Sequence, residues 1–364
     1  MTPAVSVIIA AYNGAALITE TLRSLTAQTL REWEAVVVDD CSTDDTLAVV
    51  RAYPDPRVRV VAAPRNGGPV RARNLAVEHA RGRYLAGLDH DDLCRPERLA
   101  RQVAYLERHP DVVLLGTQAA MLSDGGLRAS SYAPVTSPAL IEWLMLIENP
   151  LVWSSVMVRA DAARALEPFT RPELLYAEDF DLYHRLARVG RIARLDDELL
   201  IYRQHAGGLS KRFADAMGAS AGAVLAEAYR PVLGEEARAA AALVVAHVMA
   251  QQPVPDRATL RRLGQVLTTL QTHHLAARAV TRDDRRLIRW ETARRWARIG
   301  RAGLRTGAIG LGDAVATRPA HLGLGYAGVE QLLWSSLIGG ARRAGGWRKS
   351  DPARMPPEDE RARR

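Results

Sequence analysis

Asp89-His90-Asp91-Asp92 places three carboxylates within four residues. Carboxylates this close repel one another unless a cation joins them. Mg²⁺ or Mn²⁺ is commonly held by one or two carboxylates together with substrate phosphates. A metal held there would neutralise charge developing on a departing diphosphate. The plainer reading is an acidic helix N-terminus ahead of Pro96. Asp39-Asp40 suits a hydrogen bond to a nucleotide base or ribose, or else a turn capped by Ser42, Thr43 and Asp44. Glu178-Asp179 opens a segment with Leu182 and Leu186 at helical spacing. Its acids would either complement a helix dipole or act as a general base toward a hydroxyl. His205 is an ordinary surface histidine or a neutral imidazole ligand to a metal.

The elements around these residues alternate. Val5 to Ala10, Ala35 to Val38, Val58 to Ala62, Tyr84 to Leu88 and Val112 to Leu115 are short β-rich runs. Between them, Leu17, Thr21, Leu22 and Leu25 recur at helical spacing. Ser42 and Thr43 offer N-caps for a helix through Tyr53. Gly67-Gly68-Pro69 starts a helix to about His79, and Pro96 suits the first turn of one ending near His109. This alternation predicts an α/β fold with a mainly parallel sheet covered on both faces. Ligands then bind beyond the carboxyl ends of the strands. Ala11-Tyr12-Asn13, Asp39-Asp40 and Asp89 to Asp92 each follow a strand, so they are expected to converge on one edge.

The chain has 364 residues, with Lys plus Arg at 49 against Asp plus Glu at 41, a net charge of +8. The excess is almost entirely arginine and suits phosphate-bearing substrates, an anionic membrane face or nucleic acid. Hydrophobic content of 48% excludes wholesale disorder. Cys41 and Cys94 make no disulfide framework and read as free thiols. The N-terminus carries no basic targeting region, and the apolar runs are too short to span a bilayer, so the reading is cytoplasmic.

Taken in order, the motifs resemble the family 2 glycosyltransferases of GT-A fold. The resemblance runs through Val5 to Asn13, Leu22 to Thr29, Trp33-Glu34 and Val38 to Asp44. It continues with Asn66-Gly67-Gly68, Ala72-Arg73-Asn74, Gly82-Arg83-Tyr84, Leu88 to Asp92 and Pro96 to Leu99. Glu178-Asp179-Phe180-Asp181-Leu182, Arg185-Leu186 and Tyr202-Arg203-Gln204-His205 complete it. It implies a catalytic domain over residues 1–210 and an inverting transfer from a nucleotide-sugar. Ala11 and Tyr12 would line the nucleotide pocket, and Asp40 would bond the base. Asp89 would approach ribose or metal, and Arg73 would assist at the donor phosphates. Asp91, with His205, would hold Mn²⁺ or Mg²⁺. Asp179 would be the base and Glu178 its neighbour. The saccharide or lipid-linked saccharide acceptor points to cell-surface polysaccharide or glycolipid synthesis.

Two departures stand out. His90 fills a position where a small residue is common, with little effect expected on the metal. Leu166-Glu167-Pro168-Phe169 replaces a glycine-rich turn. Arg286-Leu287-Ile288-Arg289-Trp290 lacks the glutamine of the processive motif and lies too far along, which favours single-sugar transfer.

Residues 211–349 are expected to form an Arg-rich helical region, broken near Pro253 and Pro255, followed by a disordered tail at 350–364. Arg285, Arg286, Arg289, Arg294, Arg295, Arg298, Arg301 and Arg305, with Trp290 and Trp296, read as a face packed on the catalytic domain or as a surface for anionic membranes. Three other readings stand beside the transferase: a metal-dependent nucleotidyltransferase, a non-catalytic nucleotide-sugar-binding module, and nonspecific nucleic-acid binding through the arginines.

Overall fold

The computed structural model describes residues 3–130, 132–204, 213–277, 280–319, 322 and 329–344. His205 and the 350–364 tail lie outside these residues. Nine strands form one sheet: β1 (Val5–Ala11), β2 (Trp33–Asp39), β3 (Val58–Ala62), β4 (Tyr84–Gly87), β5 (Leu93–Cys94), β6 (Val112–Ser123), β7 (Gly126–Ala129), β8 (Met157–Arg159) and β9 (Arg191–Arg203). Their order is β3-β2-β1-β4-β8-β6-β9-β5, with β7 on β6. The first four strands in that row run parallel, but β4–β8, β6–β8, β5–β9 and β6–β7 are antiparallel. The sheet is therefore mixed. Its second half combines the long β6 and β9, which pair parallel, with the short β8, β7 and β5, which pair antiparallel to their neighbours.

Helices cover both faces. On one face α1 (Ile18–Thr26) and α4 (Arg98–Arg108) bury Ile18, Leu22, Leu25, Leu99, Val103 and Leu106 against Val5, Val7, Ala35 and Val37. These are helical repeats of four and three, each presenting one apolar stripe. On the other face lie α3 (Gly68–His79), α5 (Pro138–Leu144), α6 (Ala160–Arg164) and α7 (Glu178–Leu186). All seven residues of β2 are buried, as expected for a strand covered twice.

Some boundaries differ from expectation. The helix expected from Ser42 or Thr43, α2 (Thr46–Arg51), begins only at Thr46. Ser42 Oγ and the Thr43 amide are instead engaged by the Asn13 amide and Asn13 Oδ1, which lace two loops together. Pro96 precedes the first turn of α4, because its carbonyl accepts the Thr29 amide. The two-residue β5 escaped notice because it exists only through pairing with β9.

The C-terminal region comprises α8 (Ala214–Leu233), α9 (Ala237–Val244), a π-turn at Val245–Met249, α10 (Arg257–Ala277), α11 (Arg282–Thr306), α12 (Leu311–Ala316) and α13 (Val329–Ala344). It extends the hydrophobic core of α5 and α7: Trp143, Phe180, Tyr229, Leu260 and Trp296 belong to one continuous cluster. Trp143 Nε1 donates to Thr292 Oγ1 at 2.9 Å, and Arg295 pairs with Glu148. The arginine stretch on α11 is thus partly folded onto the sheet domain.

A buried latch secures the strand starts. Glu34 accepts from Ser6 Oγ (2.7 Å), Arg81 (2.6 Å) and Arg59 (2.9 Å). Burial pushes its carboxyl up, but these partners overrule it and hold it at about 2. The contribution is present above the ordinary glutamate value and is lost as pH falls toward 2. Glu34→Gln is expected to cost about 2 kcal/mol at pH 7 by urea denaturation. Equal midpoints for both proteins at pH 7 would discard this assignment.

Candidate active site

Parallel pairing of β1, β2 and β4 brings their carboxyl ends to one edge. Ala11 lies opposite Asp39, the Asp40 amide donates to Ala11 O (2.8 Å), and the Leu88 amide donates to Ile8 O (3.2 Å). The three polar clusters therefore emerge together. Ala11 is buried and Tyr12 is 46% exposed beside it. Asn13 adopts φ 51°, a conformation that asparagine tolerates better than most side chains. Gly14 is required by proximity: a Cβ there would sit 2.3 Å from the His90 ring. His90 is thus folded back on the β1–α1 loop, with Nδ1 3.3 Å from Ala10 O.

The Asp39-Asp40 pair divides its work. Asp40 accepts the Gly67 and Gly68 amides at 2.8 Å each and so fixes the entry to α3. Asp39 keeps its Oδ1 buried and without a hydrogen-bond partner. Asp39 therefore retains an acceptor oxygen that no protein group among the described residues uses.

Arg73, on α3, lies between the acidic motifs. Its guanidinium reaches Asp89 Oδ1 at 2.9 Å and Glu178 Oε1 at 2.5 Å, and it lies 4.6 Å from the Trp153 ring centroid. Burial disfavours its charge, but Asp89 and Glu178 more than compensate and hold its pKa above the ordinary value. Gly87 admits Trp153 beneath it, since a Cβ would meet Trp153 O at 2.6 Å. The neighbouring Asn74 exchanges hydrogen bonds with the Thr170 backbone at 2.8 and 2.9 Å. Arg185 donates to Pro168 and Phe169 carbonyls. Together they pin the loop that stands in place of a glycine-rich turn.

Asp179 is the second residue of α7 and is half-buried. Its carboxylate accepts from the Phe180 amide (2.7 Å) and Asn149 Nδ2 (3.2 Å). Burial, then repulsion from Glu178, raises its pKa to about 7 against the pull of Arg73. Glu178 is buried on the Arg73 side, with Oε2 unpartnered.

Asp92 is 1% exposed, accepts the Arg203 amide at Oδ1 (2.8 Å), and leaves Oδ2 buried without a partner. Burial and the nearby Asp89 and Asp91 charges push its carboxyl well above the usual range. Arg203 also donates to Asp91 O (2.9 Å) and Glu20 (2.6 Å), so β9 closes over this motif. An all-oxygen donor set with mutual repulsion and an orphaned oxygen fits a hard divalent cation. Among the described residues no three His, Cys, Asp or Glu groups stand where they could hold a metal ion together.

The family model described as glycosyl transferase family 2 matches residues 6–162. The putative glycosyltransferase EpsE of Bacillus subtilis is 31% identical over 216 residues, covering 58% of this chain and 76% of EpsE. The chain belongs to glycosyl transferase family 2. The succinoglycan biosynthesis protein ExoO of Rhizobium meliloti is 44% identical over 156 residues, 40% of this chain and 44% of ExoO. The chain spans only 20% of a third relative, an uncharacterized Sinorhizobium fredii protein. The GT-A fold is shared with solved structures. Staphylococcus aureus TarS 1–349 in complex with UDP-GlcNAc aligns with TM-score 0.51 and 19% identity over 95% of this chain and 93% of that one. A Pyrobaculum calidifontis mannosyltransferase in complex with GDP-Man and Mn²⁺ gives 0.52 and 21% over 92% and 88%.

Within this family 2 fold, Asp89 and Glu178 meet at Arg73 with Asp179 nearby, while Ala11 ends β1 and Tyr12 and Asp91 lie in the loops that follow β1 and β4. Asp40 and Arg73 are committed to protein partners. His205 falls outside the described residues. Sequence reasoning missed Asn149, Trp153 and Ser154, whose Oγ accepts the Asp89 amide at 2.9 Å. They lie in a loop before β8 that carries no spacing rule. Arg203 lay within a quoted motif but had no assigned role.

Proposed function

We propose that the protein transfers a single sugar from a nucleoside-diphosphate donor to an acceptor hydroxyl, with inversion, in cell-surface polysaccharide or glycolipid synthesis. The observation that carries this reading is Arg73, which ties donor-side Asp89 to acceptor-side Glu178 and so joins two carboxylate groups with separate tasks. Residues 1–210 form the catalytic unit in this proposal, and the helices after it support the acceptor side.

Asp179 takes the proton of the acceptor hydroxyl as that oxygen attacks the anomeric carbon. A carboxylate tuned to about 7 is ionised enough to act and basic enough to accept a proton at neutral pH. Asn149 and the Phe180 amide hold its orientation. Asp39 receives the base, and Tyr12 covers it. Asp91 with Asp89 would hold Mn²⁺ or Mg²⁺, His205 being a further candidate ligand, and that ion supplies charge neutralisation at the leaving nucleoside diphosphate.

The deciding experiment measures nucleoside diphosphate release from UDP-, GDP- and dTDP-sugars with Mn²⁺, Mg²⁺ or EDTA. One donor is expected to turn over only with metal. Asp91→Ala should reduce that turnover by about 10²-fold or more, and Asp39→Ala should raise the donor KM by about tenfold. Release of pyrophosphate would instead mark a nucleotidyltransferase. A folded protein that neither binds nor turns over any donor would be a non-catalytic module.

We further propose that the protein rests on the anionic, cytoplasmic face of a membrane. No helix among the described residues is long and apolar enough to cross one. α13, however, exposes Leu333 (47%), Trp334 (68%), Leu337 (65%) and Ile338 (39%) as one stripe, on a helix that also carries Arg342 and Arg343. An apolar stripe with Trp and nearby arginine suits an interfacial helix. Flotation with phosphatidylglycerol vesicles is expected to carry the wild type upward, and Trp334→Glu/Leu337→Glu should remain below. Equal flotation of both removes the proposal.

A further inference from the structure

A cavity of about 480 Å³ lies between the sheet domain and α11. From α11 it is lined by Arg294, Arg295, Arg298 and Arg301, and from the sheet domain by Tyr132, Glu148 and Asn149. The positions 294, 298 and 301 follow a spacing of four and three, so these side chains share one helix face. Charge on the lining is unevenly matched. Arg295 is paired with Glu148 and Glu291, and Arg294 with Glu291. Among the described residues Arg298 and Arg301 have no carboxylate within salt-bridge distance, and Arg301 bonds only the neutral Gln331 side chain. Among the described residues, two guanidiniums three residues apart therefore face the cavity without a direct ion pair, Glu148 being the carboxylate nearest in effect to Arg298. Burial, together with the charges of Arg295, Arg294 and Arg301, holds the Arg298 pKa below the ordinary arginine value, against the opposite pull of Glu148.

The cavity is joined to the chemistry by Asn149. This residue lines it and also donates to Asp179 Oδ2 at 3.2 Å. None of Tyr12, Asp39, Asp89 or Asp91 lines it, so it is separate from the residues assigned to the donor. The volume is that of a small-molecule site, within the ordinary range for ligand pockets.

We propose that this cavity is an acceptor subsite that recognises a phosphoryl group on the acceptor, gripped by Arg298 and Arg301. The inference rests on the transferase reading, because it takes Asp179 as the base beside which the acceptor must lie. Planar guanidiniums bind phosphate oxygens in paired hydrogen bonds, and two cations without a direct ion pair match the charge of a phosphate monoester or a diphosphate better than that of a single carboxylate. The ordered anion would hold the acceptor hydroxyl near Asp179, which is where orientation assists transfer. The phosphoryl group has two possible sources, a lipid diphosphate carrying the growing saccharide or a polyol phosphate chain.

The test is calorimetric binding to the full chain in EDTA, where the metal-dependent donor phosphate site is disabled. The probes are geranyl diphosphate, glycerol 3-phosphate and glucuronate. At least one phosphate probe is expected to bind, more tightly than glucuronate. Arg298→Gln and Arg301→Gln should each weaken it at least tenfold. Arg289→Gln, an exposed arginine of the same helix outside the cavity, should leave the affinity unchanged. The tighter phosphate probe identifies the source. Equal binding by wild type and Arg298→Gln, no binding of either phosphate probe, preference for glucuronate, or competitive displacement by nucleoside diphosphate would each overturn the proposal. Metal-dependent donor hydrolysis by the same wild-type sample separates the two readings. Hydrolysis without probe binding removes only the acceptor subsite, whereas a complete lack of hydrolysis and donor binding removes the transferase itself.

Discussion

Asp179→Asn is expected to lower sugar transfer by about 10²–10⁴-fold, the usual contribution of a positioned general base. Asparagine preserves the shape and can still meet the Phe180 amide and Asn149, but it cannot take a proton. In the wild type, kcat/KM should rise with pH through about 7 and then level, because only the ionised carboxylate is a base. The same residue carries a stability signature. Its carboxyl is raised in the folded state, so its contribution is greatest below the ordinary carboxylate range and is lost as pH rises through about 7. Asp179→Asn should therefore be more stable than wild type at pH 8, on the order of 1–3 kcal/mol by denaturant titration. A variant that loses activity and gains stability marks a group held for chemistry. One that retains full activity would remove Asp179 from the mechanism.

Arg73→Met should affect both folding and catalysis. The substitution leaves Glu178, 5% exposed, and Asp89 without their shared cation. Removing one partner of a buried pair typically costs about 3–5 kcal/mol. The Trp153 ring would also lose its cation contact. The diagnostic reading is the pH profile. Arg73 pulls the Asp179 pKa down, so without it the rise in kcat/KM should move to higher pH. Arg73→Lys should restore part of the stability through charge, but less of the activity, because an ammonium cannot fork between two carboxylates as a guanidinium does. A Met variant with wild-type stability and an unmoved pH profile would show that Arg73 does not couple the two motifs.

What the sequence determined by itself was local. The apolar runs Val5 to Ala10 and Ala35 to Val38 specify strands because burial on both faces demands continuous hydrophobicity. The stripes of α1 and α4 specify helices because one face must be apolar. Parallel order then forces the polar residues after β1, β2 and β4 to one edge, so their convergence was readable from the sequence. Four features depended on tertiary structure. The first is the division of labour between Asp39 and Asp40, which turns on the Gly67 and Gly68 amides arriving from another loop. The second is Arg73 as a bridge, since its partners lie 16 and 105 residues away. The third is the mixed half of the sheet, which rests on the long-range antiparallel pairings of β8 and the parallel pairing of β9 with β6. The last is the fate of the α11 arginines: Arg295 is buried on Glu148, while Arg298 and Arg301 are left facing a cavity. All three are arginines of one helix and line the same cavity. Whether a charge is neutralised or available depends on which carboxylates folding brings within a few ångströms, and a linear pattern does not contain those distances.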